Sequence, residues 1–105
     1  MHMQVVQFNL RDMGEEKYRQ LCDDLAPSFA DLPGLISKVW LADPTTNTYG
    51  GVYSWSDRHN MEAFSESALY QAVVTHPNLT NLTSRDYAVI EAPTEICRGL
   101  ATVRA

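Results

Sequence analysis

Positive charge is scarce in this chain. Lys17 and Lys38 are its only lysines, no basic run occurs, and the formal net charge is −5. A nucleic-acid footprint or an attraction to an anionic membrane surface has no support on that balance. Long apolar runs are absent too, so no segment is expected to cross a bilayer. The opening MHMQVVQFNL lacks the charged start, apolar stretch and cleavage site of a secretory leader, and the expected location is the cytoplasm. His2-Met3 reads as a cloning remnant with Met3 as the natural start, which would leave His2 outside the fold. Without secretion the sequons at Asn78 and Asn81 carry no meaning.

Cysteine is limited to Cys22 and Cys97, far apart and in no CxxC or Cys/His ligand spacing. Cys22 is expected as a buried thiol on a helix, and Cys97 as an exposed one in the tail. His2, His59 and His76 are dispersed with no paired spacing, so no metal site is expected. No GxSxG, Walker loop, GxGxxG or paired-carboxylate motif occurs, which leaves hydrolase, kinase and nicotinamide-dependent readings without support.

What is present suits one domain. The chain has 105 residues, 45% of them apolar, and residues 1–105 are expected to form a single unit with 93–105 as a C-terminal tail. Gln4 to Leu10 alternates like a half-buried strand, with Val6, Phe8 and Leu10 on one side. From Glu15 to Asp31, Tyr18, Leu21, Cys22, Leu25 and Phe29 recur at helical spacing. Pro27 should bend that helix without ending it, and Pro33-Gly34 should stop it. Leu35 to Ala42 and Tyr49 to Ser56 read as strands around a polar turn. Asp57 is a good N-cap for a helical stripe carrying Met61, Phe64, Leu69, Tyr70 and Val73, with a break and a fresh cap at Ser65-Glu66-Ser67 that makes two short helices or one broken one. Asn78 to Ser84 reads as a loop, and Arg85 to Ala92 as the last strand.

The order is βαββαβ. This is the ferredoxin-like α+β plan, a four-stranded antiparallel sheet with its helices on one face. Its other face would need cover, and a homodimer is the economical cover.

The densest chemistry lies on the central hairpin. If Ala42 pairs with Tyr49, then Trp40 faces Gly51, Lys38 faces Tyr53 and Ile36 faces Trp55, all on one sheet face. Gly51 has no side chain, so the indole of Trp40 or a ligand has room above it. The aromatics either line a pocket for a flat molecule or pack the core, and Lys38 is either an inward base or a surface charge.

The run PGLISKVWLADPTTNTYGGVYSW resembles the YdhR-like family of proposed monooxygenases, within the dimeric α+β-barrel superfamily of antibiotic-biosynthesis-monooxygenase-like proteins. The family's P-G, K-x-W and G-G-x-Y features stand here as Pro33-Gly34, Lys38-Val39-Trp40 and Gly50-Gly51-Val52-Tyr53, and Pro27 also fits. The match covers most of the chain, weakly outside residues 25–65. It implies a homodimer and a pocket for an aromatic small molecule and O2. Relatives of that kind oxidise phenols or anthrones with no metal or flavin, so no cofactor is implied. Other relatives degrade haem with a histidine late in the second helical region. Val73 or Val74 stands near that point here, with His76 slightly beyond, and a haem ligand is not expected.

On this reading Lys38, Tyr53 and Asn9 are the candidate catalytic residues. Lys38 would move a proton, Tyr53 would hold a substrate oxygen, and Asn9 would polarise an oxygen atom. Trp40, Trp55, Phe64, Tyr70, His59 and His76 are the candidate substrate-binding residues, with Tyr49 at the rim. Each has a plain alternative: Asn9 bonds local backbone, His76 caps a helix end, and the aromatics form core. A non-catalytic binding dimer, or an acid–base isomerase or cyclase, would use the same pocket.

Overall fold

The computed structural model describes residues 1–99. Among them the elements run β1 (His2–Leu10), α1 (Glu15–Ala30), β2 (Leu35–Asp43), β3 (Thr48–Trp55), α2 (Arg58–Ser65), α3 (Ala68–Val74), β4 (Leu79–Ala88) and α4 (Glu91–Ile96). The strands form one antiparallel four-stranded sheet in the order β2-β3-β1-β4. This is the ferredoxin-like plan, and α1 to α3 pack on one face of it.

Alternation along β1 explains which face that is. His2, Gln4, Val6 and Phe8 are buried, while their odd-numbered neighbours are more open. Pairing carries the same face across the sheet, from Val6 to Gly51 and on to Trp40, and from Gln4 to Tyr53 and on to Lys38. The helices lay Tyr18, Phe29, Met61 and Phe64 onto it, and all are buried. The opposite face carries Val39 and Tyr87, at 58% and 54% exposure.

The helices start and stop by ordinary local chemistry. Asp57 caps α2 by accepting from the Asn60 amide at 2.8 Å, and Ser67 caps α3 by accepting from Tyr70 at 3.2 Å. Ser67 therefore divides the second helical region into two helices. As expected, α1 runs through Pro27 to Ala30.

Several boundaries differ from the expectation. The loop foreseen at 78–84 is the first half of β4, which pairs with β1 from Leu10–Leu79 to His2–Ala88 and ends well before Ala92. A register shift between Gln7 and Asn9, with Asn81 at φ 56°, interrupts the pairing. The core residues of β4, Leu79 and Leu82, are consequently three apart rather than two, and the period-2 signal disappears. The expected tail begins with α4, which holds Pro93 in its first turn, where no intrahelical amide is needed; the remainder of that tail, 100–105, lies outside the described residues. His2 belongs to β1, is 8% exposed, and its Nε2 lies 2.7 Å from Asp86 Oδ1.

Gly50 and Gly51 shape the sheet centre differently. Gly50 has φ 149°, and a Cβ there would collide with the Val6 carbonyl oxygen on β1. At Gly51 the backbone is ordinary, but a Cβ would lie 2.8 Å from Lys38 Cε and 3.4 Å from Tyr53 Cε1. The space above Gly51 thus belongs to the lysine stem, not to the Trp40 indole.

Candidate active site

Between α1 and the hairpin lies a narrow cavity, lined among others by Tyr18, Cys22, Phe29, Lys38, Trp40 and Tyr53. Only about 30 Å³ of it can hold the centre of a water molecule, so as it stands it admits a water or two. Two surface clefts flank it along the α1–β2 gap, with about 350 and 270 Å³ open to water centres. Trp40 lines the cavity and both clefts. Its indole is the wall between interior and surface.

Lys38 occupies the middle of this arrangement. Its stem crosses over Gly51, and its Nζ sits 3.2 Å from the ring centroid of Phe29, 3.4 Å from that of Trp40 and 4.8 Å from that of Tyr53. No carboxylate or hydrogen-bond acceptor meets this ammonium among the described residues. Burial away from water disfavours the charged form and brings the Lys38 pKa down to about 7, against a weaker opposing pull from Cys22. The ring faces offset part of that cost through cation–π attraction.

The other titratable groups in the cavity are driven the other way. Burial raises the Tyr18, Tyr53 and Cys22 pKa values, so near neutrality these groups hold their protons. Lys38 is the group there whose proton moves near neutral pH. Tyr53 adds a hydroxyl that makes no hydrogen bond among the described residues, a donor free to meet a ligand oxygen. The cavity thus pairs a weakly solvated amine with phenolic donors inside aromatic walls.

The sequence candidates separate sharply. Lys38, Tyr53 and Trp40 come together as the hairpin register requires, with Lys38 opposite Tyr53 and Trp40 opposite Gly51. Ile36 does not face Trp55; a bulge between Leu35 and Ser37 puts Leu35 there. Trp55 is 0% exposed, donates from Nε1 to Gln4 Oε1 at 3.1 Å and stacks on Tyr53 at 5.9 Å. Phe64 packs among Phe29, Tyr53, Trp55 and Tyr70. These two form the support behind Tyr53 and border a separate cleft near Leu32 and Pro33. Tyr70 meets the edge of Phe64 and does not line the cavity.

Asn9, His59 and His76 lie elsewhere. Asn9 donates to the Asn47 carbonyl at 2.7 Å and accepts from Asn81 at 3.0 Å, tying the β2–β3 turn to the β1 end. His59 is exposed on α2. His76 Nδ1 accepts from the Asn78 amide at 3.1 Å, which makes it part of the α3–β4 turn. Val73 lines the cavity without offering a ligating atom. Tyr49, expected at the rim, is 3% exposed and donates to Glu15 Oε1 at 2.7 Å.

Sequence reasoning missed the contribution of α1. Tyr18, Cys22, Leu25 and Phe29 all line the cavity. Their spacing identifies a buried helix face, and such a face reads as core. The available hint was Tyr18 and Cys22, one turn apart, two polar tips within an apolar stripe.

The comparisons with known proteins agree with this architecture. Residues 3–100 match the family model described as "Putative mono-oxygenase ydhR", and the chain belongs to that family. No curated protein matches it. Among solved structures it resembles a putative antibiotic biosynthesis monooxygenase from Deinococcus radiodurans, at 19% identity and TM-score 0.72 over 88% of this chain and 95% of that one. It also resembles SnoaB, a cofactor-independent oxygenase from Streptomyces nogalater, at 16% identity and TM-score 0.68 over 86% of this chain and 93% of that one. A third is the haem degrader MhuD from Mycobacterium tuberculosis, solved with two haems in its active site, at 14% identity and TM-score 0.68 over 86% of this chain and 96% of that one. At these identities the likeness speaks for the fold. Among the described residues no helix is long and apolar enough to cross a membrane.

Proposed function

We propose that the protein is a cofactor-independent monooxygenase for an aromatic or polycyclic small molecule, working as a cytoplasmic homodimer with the bare sheet face covered. The observation that carries the reading is the Lys38 amine held among Phe29, Trp40 and Tyr53 with no counter-charge among the described residues. A neutral amine in an apolar site can take the acidic proton of an anthrone or a phenol. The resulting carbanion or phenolate transfers an electron to O2, and recombination gives a hydroperoxide. Loss of water from an anthrone hydroperoxide leaves a quinone, with one oxygen atom retained and the other released as water. The electrons come from the substrate, and the protein supplies position, a dry site and proton transfer. Tyr53 would donate to the substrate oxygen as charge develops on it. For a polycyclic substrate the Trp40 wall has to swing into the α1–β2 gap, because the enclosed space is so small.

That smallness also favours a second reading, a non-catalytic binder of small ligands. Oxygen consumption separates the two. Metal-stripped protein should accelerate O2 uptake with a panel of anthrones, naphthols and hydroquinones. Lys38→Ala should lower the rate by about 10²-fold or more, the usual worth of a general base, and Tyr53→Phe by roughly tenfold. No uptake across the panel would shift the weight to the binder, and uptake indifferent to Lys38→Ala would remove the lysine from the mechanism.

A further inference from the structure

Lys38 borders not only the inner cavity but also the smaller of the two surface clefts beside it. The cleft it shares with Trp40 is walled by Ala26, Phe29, Ala30, Leu35, Ile36 and Ser37, with about 270 Å³ open to water centres. That is room for a single substituted aromatic ring, lying against Phe29 and the Trp40 indole, with its polar end at Nζ. Phe29 and Trp40 give the cleft an aromatic wall, and its lining residues present no carboxylate to the ammonium. Gly51 keeps the stem in place, since any side chain there would push Lys38 Cε away from the rings.

We propose that Lys38 is a nucleophilic amine that captures aromatic aldehydes from this cleft as a reversible imine. The lone pair of Nζ attacks the carbonyl carbon, the C–N bond forms, and a proton passes from nitrogen to the former carbonyl oxygen. The carbinolamine then loses that oxygen as water and becomes the imine. One water is released, no electrons are exchanged, and no co-reactant is needed. An apolar site favours each step: it keeps the amine unprotonated and disfavours rehydration. Tyr18, Tyr53 and Cys22 line the adjoining cavity with protons held in place, and any of them can assist departure of the hydroxyl. This use of the amine involves no dioxygen and stands apart from the oxygenase reading.

The chain contains an internal standard, because Lys17 is the only other lysine and is exposed on α1. The wild-type protein would be incubated near pH 7 with 4-methoxybenzaldehyde and cyanoborohydride. The reduced adduct would then be located by peptide mass mapping, with the amino terminus counted separately. Labelling at Lys38 is expected to exceed that at Lys17 by roughly tenfold or more, as an amine with a larger unprotonated fraction requires. An excess of 4-methoxybenzyl alcohol, which fills the cleft without reacting, should suppress the Lys38 adduct alone, and Lys38→Arg should abolish it in a protein with an unchanged circular dichroism spectrum. Labelling at Lys38 equal to or below that at Lys17 would overturn the proposal. So would a Lys38 excess that the alcohol leaves unchanged, since it would show reaction outside the cleft.

Discussion

Replacing Lys38 by methionine is expected to stabilise the protein at about pH 6, by roughly 2–4 kcal/mol or about 10 °C in melting temperature. Methionine fills a similar volume and brings no charge into the apolar gap between Phe29, Trp40 and Tyr53. The size of the gain follows from the difference between a Lys38 pKa of about 7 in the folded chain and the ordinary 10.5, less the cation–π attraction of the rings. Its pH dependence follows from the same difference. Below about pH 7 both states hold the proton, and the full cost of burying the cation is present. As pH rises from about 7 toward 10.5, the unfolded chain keeps a proton that the folded chain has released. Unfolding is then progressively disfavoured and the wild type gains stability. The advantage of Lys38→Met should therefore shrink to under about 1 kcal/mol by pH 10. Paired thermal melts of the two proteins across this range check the claim. A variant that melts at or below the wild type at about pH 6, or a difference that does not change with pH, would contradict it.

Gly50→Ala is expected to cost about 3 kcal/mol or more, enough to unfold much of a marginal domain. Gly50 lies in β3, between β2 and β1, opposite Leu41 and Gln7. Its φ of 149° is one that residues with a Cβ rarely adopt, and the added methyl would meet the Val6 carbonyl oxygen, a backbone atom fixed in the sheet. The strand has to part from β1 or rotate, and either movement disturbs the hairpin that holds Lys38 and Tyr53. Gly14→Ala is the control: nothing lies within 4 Å of a Cβ there, and its φ is −79°. Because Gly14 is also the N-cap of α1, that change should cost no more than about 1 kcal/mol. Urea denaturation of both variants would measure this, and a Gly50→Ala midpoint equal to that of the wild type would refute the assignment of Gly50 as the strained point of the sheet.

The fold was legible because its signals are local and repeated. The alternation of β1, the stripe on α1 and the Asp57 and Ser67 caps each depend on residues close in sequence. So does the hairpin register, because the short polar turn between Ala42 and Tyr49 leaves little freedom in the pairing. From that register alone Lys38, Trp40 and Tyr53 come to one face. Only part of the last strand was legible: its second half was read from Arg85 onward, but its first half was not, because β4 is an exposed edge and its pattern is broken at Asn81. His2 was misplaced for a related reason: its partner Asp86 is a long-range contact with no local signature. The same limit applies to the site. Trp55 and Phe64 resemble pocket walls in composition, yet they bury themselves behind Tyr53. Tyr18, Cys22 and Phe29 resemble core, yet they line the cavity. Only the packing of α1 over β2 decides between these roles, and that packing joins segments distant in the chain.

The central claim is that the Lys38 amine is poorly solvated and gives up its proton near neutral pH. Its most direct test is an NMR titration of protein labelled at the lysine side chains, where Lys17 and Lys38 are the only signals to follow. A Lys38 midpoint near 7 is expected. A Lys38 midpoint near the ordinary 10.5 would place its ammonium in water, and would contradict the site, its proposed base and its nucleophile together.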